Sequence, residues 1–254
     1  MSIHSILTKA VAIGLSLLCA NFSYAGTWAL VKDNQNFSCG SGSTTCAVTV
    51  QSTGSGNLLV AAVTNGTGTT GRFSTASAGG SWVHPASCAS TDASAGWTDF
   101  GYVLSSASGV TSITITITAA PAGLWGVDIL EYSISGGSTV AFDNCGVRDQ
   151  SSSVANFAGV SCGTLSGTND VIIQASNCTA AISGCPNSSA SPAVFPNGDG
   201  VCGLISSVTT TAGNYTNTAG FGTPASIAFK EVAAASTINN QSVFGTGLIT
   251  GGAF

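Results

Sequence analysis

The chain has 254 residues, and only 6% of them are charged, against about 25% in ordinary globular proteins. Five lysines and arginines face ten aspartates and glutamates, giving a formal net charge of −5. This balance argues against nucleic acid and anionic membranes as partners, because both bind clustered basic surfaces. Hydroxyl and amide side chains supply the polarity instead, which suits a protein in the open medium or packed among its own copies.

The N-terminus predicts export. Lys9 precedes the apolar run AVAIGLSLLCA and then the small residues of SYAG, an order typical of a secretory signal peptide that is cut after Ala25. The apolar run is too short to span a bilayer, and no later run of about 18 apolar residues exists, so no membrane insertion is predicted. A lipoprotein modified at Cys19 is the alternative, which the bulky Leu18 disfavours. We expect residues 1–25 to be the signal peptide and the mature protein to be secreted, extracellular or at the cell surface.

Eight segments have the alternating or continuous apolar character of β-strands. They are TCAVTV, NLLVAAVT, TDFGYVL, TSITITIT, GVDILEYSI, DVIIQAS, GLISSVTTT and ASIAFKEV. Turn-forming stretches separate them, and no stretch sustains a helical pattern. The sequence predicts an all-β fold over residues 26–233, an antiparallel β-sandwich of jelly-roll or Greek-key type. Residues 234–254 are glycine-rich and are interpreted as a tail or an added edge strand.

The segment TSITITIT raises the question of whether its threonines form a working surface for ice, a glycan or a mineral. In an extended strand Ile113, Ile115 and Ile117 lie on one face and the threonines on the other. A flat array of threonine rows would need an internal repeat, and none is present. The alternation therefore predicts isoleucines in the core and threonines on the outer face.

Removal of the signal peptide leaves an even set of eight cysteines, which predicts disulfides in an exported chain. They are Cys39, Cys46, Cys88, Cys145, Cys162, Cys178, Cys185 and Cys202. The sequence leaves the connectivity open; short loops favour Cys39–Cys46 and Cys178–Cys185, with Cys145–Cys162 and Cys88–Cys202 as longer connections. No metal site is predicted, because the mature chain has no C-x-x-C pair and keeps one histidine, His84.

No catalytic constellation is evident. Asp128 and Glu131 in GVDILEY are the nearest approach to a glycosidase carboxylate pair, but their odd spacing places them on opposite faces of a strand. His84 has no nucleophile motif beside it and is interpreted as a turn histidine. PNGDG lacks the further acids of an EF-hand and is interpreted as a turn. We predict no enzymatic activity, no catalytic residue and no cofactor.

Aromatic residues beside the predicted turns suggest a binding function. They are Trp82, Trp97, Phe100, Tyr102 and Trp125. Aromatic rings bind sugar faces because the apolar C–H surface packs on the ring. Trp97, flanked by small polar residues, is expected to be the most exposed, so Trp97, Asp99 and Tyr102 form the candidate ligand-binding group. The alternative is that Trp82 and Trp125 fill the core.

The order of five segments resembles a broad group of uncharacterised exported bacterial β-sandwich modules. These segments are SGNLLVAAVT, SAGGSW, DFGYVLSSASGVTSITITIT, VDILEYSI and GTNDVIIQAS. The resemblance covers about Ser55 to Val232 and implies a β-sandwich architecture and a surface location, without catalytic residues. The turn from Thr75 to Trp82 lacks the aspartate of the group, so the resemblance implies no site built on that acid.

Two functional hypotheses follow. The first is a secreted or cell-surface non-enzymatic module that is adhesive or binds a glycan. The second is a structural subunit of an extracellular filament or surface layer that self-associates by strand exchange. The second hypothesis places two segments beyond the sandwich, Gly26–Ser38 and Ala234–Phe254, where each can add a strand to the open sheet edge of a neighbouring copy. Lysines usually protect such edges, and this chain has few of them.

Overall fold

The structure is a computed structural model that describes residues 26–148, 150–156, 158–167, 169–184, 193–194, 200–206 and 215–233. Within these residues the chain forms seventeen β-strands, a short 3₁₀ turn at Ala86–Cys88 and no α-helix. The predicted all-β class is confirmed. No helix of the described part has the length and apolar character needed to cross a membrane.

The first eight strands fold into two facing antiparallel sheets. They are β1 Trp28–Cys39, β2 Thr45–Thr49, β3 Leu58–Asn65, β4 Phe73–Ala76, β5 Ser90–Asp92, β6 Gly96–Val103, β7 Ser112–Ile117 and β8 Trp125–Ile134. The central sheet has the order β1-β8-β3-β6-β5, and the outer sheet has the order β2-β7-β4. The nested pairing of β1 with β8, β2 with β7 and β3 with β6 is that of a jelly roll.

The remaining strands form a third sheet and two small ones. They are β9 Thr139–Val147, β10 Gln150–Val154, β11 Asp170–Ser176, β12 Ile182–Gly184, β13 Ala193–Val194, β14 Gly200–Ser206, β15 Thr216–Asn217, β16 Gly220–Gly222 and β17 Ala225–Val232. The third sheet has the order β13-β14-β11-β17-β9 and is antiparallel throughout. The strand pairs β10-β16 and β12-β15 form the two small sheets.

The central sheet is buried on both faces, so the predicted sandwich is a stack of three sheets. One core lies between the central and outer sheets and includes Leu59, Val127, Phe73, Ile113 and Ile115. The other lies between the central and third sheets and includes Val60, Phe100, Ile173, Ile227 and Phe229. Every residue of β3 and of β6 is buried. This explains the near-continuous apolar sequence of β3, because a strand covered on both faces does not need to alternate apolar and polar residues.

Strand β7 answers the question raised by its threonines. Ile113, Ile115 and Ile117 are buried against the central sheet, whereas Thr114 and Thr116 are partly exposed on the other face of the outer sheet. The predicted division into a core face and an outer face is confirmed.

Two disulfides are present in the described residues, and one of them was not predicted. Cys39–Cys46 is confirmed. Cys88 bonds to Cys145, which makes the predicted pairs Cys88–Cys202 and Cys145–Cys162 wrong. The physical reason is that β9 runs along the edge of the third sheet and brings Cys145 to the 3₁₀ turn that carries Cys88. Cys162 is buried without a disulfide on the far face of the third sheet. Cys185, the partner predicted for Cys178, lies outside the described residues, so the pair Cys178–Cys185 stays a prediction.

The N-terminal segment is part of the fold. Trp28–Cys39 forms β1 at the edge of the central sheet and pairs antiparallel with β8. The prediction that Gly26–Ser38 lies beyond the sandwich and is available to a neighbour is therefore wrong. The predicted tail, 234–254, lies outside the described residues.

Candidate functional site

The three residues of the predicted ligand-binding group are buried. Trp97 and Asp99 are 0% exposed and Tyr102 is 7% exposed, because all three belong to β6 inside the central sheet. Trp97 packs in the core with the outer sheet, and Tyr102 packs in the core with the third sheet. The expectation that Trp97 is the most exposed aromatic is wrong. The alternative interpretation placed Trp82 and Trp125 in the core: Trp125 is fully buried, whereas Trp82 is partly buried and packs against the core with the outer sheet.

Asp99 instead joins three parts of the jelly roll. Its carboxylate accepts hydrogen bonds from the backbone N–H of Phe73 at 2.9 Å and of Phe100 at 2.8 Å. The Nε2 atom of His84 lies 2.9 Å from Asp99 Oδ2. This His–Asp contact resembles two members of a hydrolase triad, but among the described residues no serine, threonine or cysteine side chain bonds to His84. The pair fixes the loop before the 3₁₀ turn onto β6.

The carboxylates of β8 lie on opposite faces, as predicted, and each has a different environment. Glu131 accepts hydrogen bonds from Gly54 N–H at 2.7 Å and from Asn57 Nδ2 at 2.5 Å, and it pairs with Lys32 at 3.3 Å. It therefore anchors the turn before β3. Asp128 faces the third sheet, where burial, and then the neighbouring carboxyl of Asp33, raise the pKa of Asp128 well above its ordinary value.

A cleft lies at the end of the stack where β3 ends and β8 begins, and it has a volume of about 400 Å³. Its lining comes from the loop after β3, the residue before β8 and the segment after β11. The lining residues are Gly66, Thr67, Leu124, Asn177, Cys178 and Thr179. None of them is charged, and Leu124 is 46% exposed, so the cleft joins an apolar surface to neutral polar groups.

Asn177 supplies an unpaired donor to this cleft. Its side chain is 1% exposed, and Nδ2 has no hydrogen-bond partner among the described residues. Its backbone is fixed, since its N–H donates to Thr98 Oγ1 and its carbonyl accepts from the N–H of Thr223, each at 3.0 Å. Gly66 lies against this buried amide, because a Cβ at that position would lie 3.2 Å from Asn177 Nδ2.

Two threonines complete the polar lining with opposite capacities. Thr67 Oγ1 lies 3.4 Å from Asn65 Oδ1, to which it can donate, and this leaves its lone pairs to accept. Thr179 Oγ1 accepts from the N–H of Phe221 at 3.0 Å, and this leaves its proton to donate. The cleft therefore offers donors and an acceptor beside an apolar side chain. In the described part of the chain no group of three or more histidine, cysteine, aspartate or glutamate side chains is placed to hold a metal ion.

The sequence did not predict this cleft. Asn177 directly follows the predicted strand DVIIQAS, and polar residues at strand ends are the one signal that could have marked it. Comparisons of the chain with models of protein families, with curated proteins and with solved structures find no match. The class of protein therefore rests on its disulfide-bonded, all-β jelly-roll architecture.

Proposed function

We propose that the protein is an exported, non-enzymatic binding module that holds a neutral glycan unit in the cleft beside Asn177. The observation that carries the proposal is the buried, unpaired amide of Asn177 in a lining without charge. A buried donor without a partner costs about 1–3 kcal/mol, and a ligand oxygen would remove that cost. The disulfides Cys39–Cys46 and Cys88–Cys145 support export, because such bonds persist in oxidising compartments.

The chemistry of the lining favours a sugar over other small ligands. Leu124 offers an apolar surface to the C–H face of a sugar ring, and the side chains of Asn177, Thr67 and Thr179 offer partners to its hydroxyls. An acidic glycan would find no cation in this lining, so neutral glycans are the expected class. The volume lies within the range of about 300–1,000 Å³ that small-molecule sites occupy.

A glycan array followed by affinity electrophoresis tests the proposal with the mature protein and a Gly66→Ala variant. The added methyl group presses on Asn177 Nδ2, so we expect at least about a 10-fold loss of affinity, equivalent to about 1.4 kcal/mol. Gly40→Ala is the matched control, because a Cβ there has its nearest neighbour at 3.9 Å. We expect this control to bind normally.

A second pair of variants tests the apolar part of the cleft. Leu124→Ser removes the exposed leucine and should weaken binding by about 5-fold to 30-fold, as the loss of one partly buried apolar side chain does. Val83→Ser changes a residue of similar exposure, 44%, outside the cleft lining and should have no effect. The proposal fails if the folded wild-type protein binds no neutral glycan, or if both variants of a pair weaken binding equally.

One observation favours the structural-subunit hypothesis as a second candidate. Strand β9 is nine residues long, lies at the edge of the third sheet and carries a single charged residue, Asp143. Long edge strands with few charges accept a further strand from another chain. Electron microscopy of native cell-surface material, beside a chain that ends at Val232, tests this candidate. Filaments that disappear on truncation support it, whereas a monomer at high concentration contradicts it.

A further inference from the structure

The backbone of Gly26, the residue after the predicted signal-peptide cleavage point, is held from both sides. Its N–H donates to Glu231 Oε1 at 2.5 Å, and its carbonyl accepts from Asn169 Nδ2 at 2.6 Å. The next two residues are also fixed, because Thr27 N–H donates to Ser135 Oγ at 2.9 Å and Trp28 Nε1 donates to the Asn169 carbonyl at 3.0 Å.

The site accepts glycine and excludes larger residues. Gly26 is buried, and a Cβ at this position would lie 2.6 Å from the Ser135 carbonyl oxygen and 2.7 Å from Ile134 Cγ1. Both distances are shorter than real Cβ contacts, and the first involves backbone that cannot move aside cheaply. Position 26 therefore requires glycine for reasons of space.

The Glu231 carboxylate accepts several hydrogen bonds but has no ion-pair partner among the described residues. Ser138 Oγ donates to Oε1 at 2.5 Å and Asn169 Nδ2 donates to Oε2 at 2.9 Å, in addition to Gly26. Burial alone would raise the pKa of Glu231, but the hydrogen bonds from Asn169, Ser138 and Gly26 lower it, so the carboxylate is ionised. The neighbouring Lys230 turns to Asp143, 3.4 Å away. No lysine, arginine or histidine of the described residues forms an ion pair with Glu231.

We propose that Glu231, Asn169 and Ser138 form a binding site for the α-ammonium group of Gly26, created when the Ala25–Gly26 peptide bond is hydrolysed on export. A protease of the signal-peptidase class adds water across that bond. The leader leaves with a carboxylate on Ala25, and Gly26 keeps an amine that takes up a proton at neutral pH. The new ammonium supplies a positive charge and two N–H donors beyond the single backbone N–H that Gly26 donates to the Glu231 carboxylate. The inference rests on export and is independent of the glycan cleft.

The N-terminus of the exported protein is the first test. Mass spectrometry of the secreted, non-reduced protein should find a chain that begins at Gly26. A mature chain that begins at another residue overturns the proposal, whatever the outcome of the glycan experiments.

Thermal unfolding tests the ion pair itself. We compare the chain that begins at Gly26 with the same chain carrying one extra alanine, which keeps the amide hydrogen bond but moves the charge away. The extra alanine should lower Tm by about 2–4 °C. In the Glu231→Gln background it should have almost no effect, because the charge has lost its partner. An equal effect of the alanine in both backgrounds overturns the proposal.

A chemical measurement covers the case in which Glu231→Gln fails to fold. A bound ammonium should react with an amine acylating reagent near neutral pH at least about 10-fold more slowly than the same terminus in denaturant, since binding keeps it protonated and covered. Peptide mass spectrometry follows the rate at Gly26. Equal rates in the folded and denatured protein contradict the site.

Discussion

Asp128 is a buried acid beside a second acid, Asp33, and its protonation makes the stability of the protein depend on pH. The folded-state pKa of Asp128 is raised by burial and by Asp33, whereas in the unfolded chain it is about 3.9. At a pH between these two pKa values, the folded protein therefore binds one more proton than the unfolded chain. The stability that Asp128 contributes is complete below about pH 4 and is lost as the pH rises towards the folded-state pKa.

We predict that Asp128→Asn makes the protein more stable at pH 7. The amide cannot ionise, so the variant does not hold a buried charge beside Asp33 at pH 7 and should gain stability there. The gain should vanish near pH 4. Urea unfolding from pH 4 to pH 8 measures it. Asp170, whose pKa burial and Asp143 raise to about 6, adds a slope of the same sign to both proteins.

Asp143→Asn is a control of opposite sign. Burial alone would raise the pKa of Asp143, but hydrogen bonds from Ser166, Gly167 and Lys230 lower it. Its stabilisation is present above the unfolded-state pKa and is lost as the pH falls through the folded-state value. Asp143→Asn should therefore destabilise the protein at pH 7 and have little effect at low pH. Parallel pH profiles for the wild type and Asp128→Asn would contradict the assignment of Asp128.

Gly101 lies inside a strand at a position where the ring of Phe73 leaves no space for a side chain. It lies in the middle of β6, and a Cβ there would lie 2.3–2.5 Å from the ring of Phe73 in the outer sheet. We predict that Gly101→Ala destabilises the protein by about 1–3 kcal/mol in urea unfolding, as overpacking does. Phe73→Leu should cost less in the Gly101→Ala background than alone, because it relieves the clash. Additive losses would show that Phe73 is not the obstacle.

The predicted strands appear where both the apolar pattern and the flanking turns are clear in the sequence. All eight predicted segments contain strands, among them β3, β7 and β11. Strand β1 was missed because Lys32–Asn36 is polar, which an edge strand can tolerate and a periodicity search cannot recognise. The two- and three-residue strands, such as β15 and β16, are too short to show a period.

The Cys88–Cys145 disulfide connects elements that are distant in the sequence. It closes a separation of 57 residues and fastens β9 to the 3₁₀ turn Ala86–Cys88, whereas Cys39–Cys46 closes a separation of 7. By loop entropy we predict that replacing both cysteines of Cys88–Cys145 with serine costs about 4 kcal/mol, against about 2 kcal/mol for Cys39–Cys46. Urea unfolding of the two double variants measures the difference. A larger loss for Cys39–Cys46 would contradict the prediction.

The candidate site depends on the third sheet, which the sequence did not predict. Tyr102 would be exposed in a two-layer sandwich, but the third sheet covers it, whereas Trp97 packs in the core with the outer sheet. The amide of Asn177 is a candidate binding group only because its neighbours leave it unpaired. No sequence pattern reports the absence of a partner, so this site required tertiary structure.

The three-sheet stack also predicts how the jelly roll depends on the third sheet that covers it. A fragment of residues 26–137 retains every pairing of the jelly roll but uncovers Leu58, Val60 and Phe100, which face the third sheet. With Cys88→Ser to remove the orphaned thiol, we expect this fragment to keep β-type circular dichroism, to bind a hydrophobic dye and to self-associate. The same fragment with Val60→Thr and Phe100→Thr should bind less dye and elute nearer the monomer position in size-exclusion chromatography. If the fragment without the two threonine substitutions is monomeric and binds no dye, the central sheet does not need the third sheet to cover it.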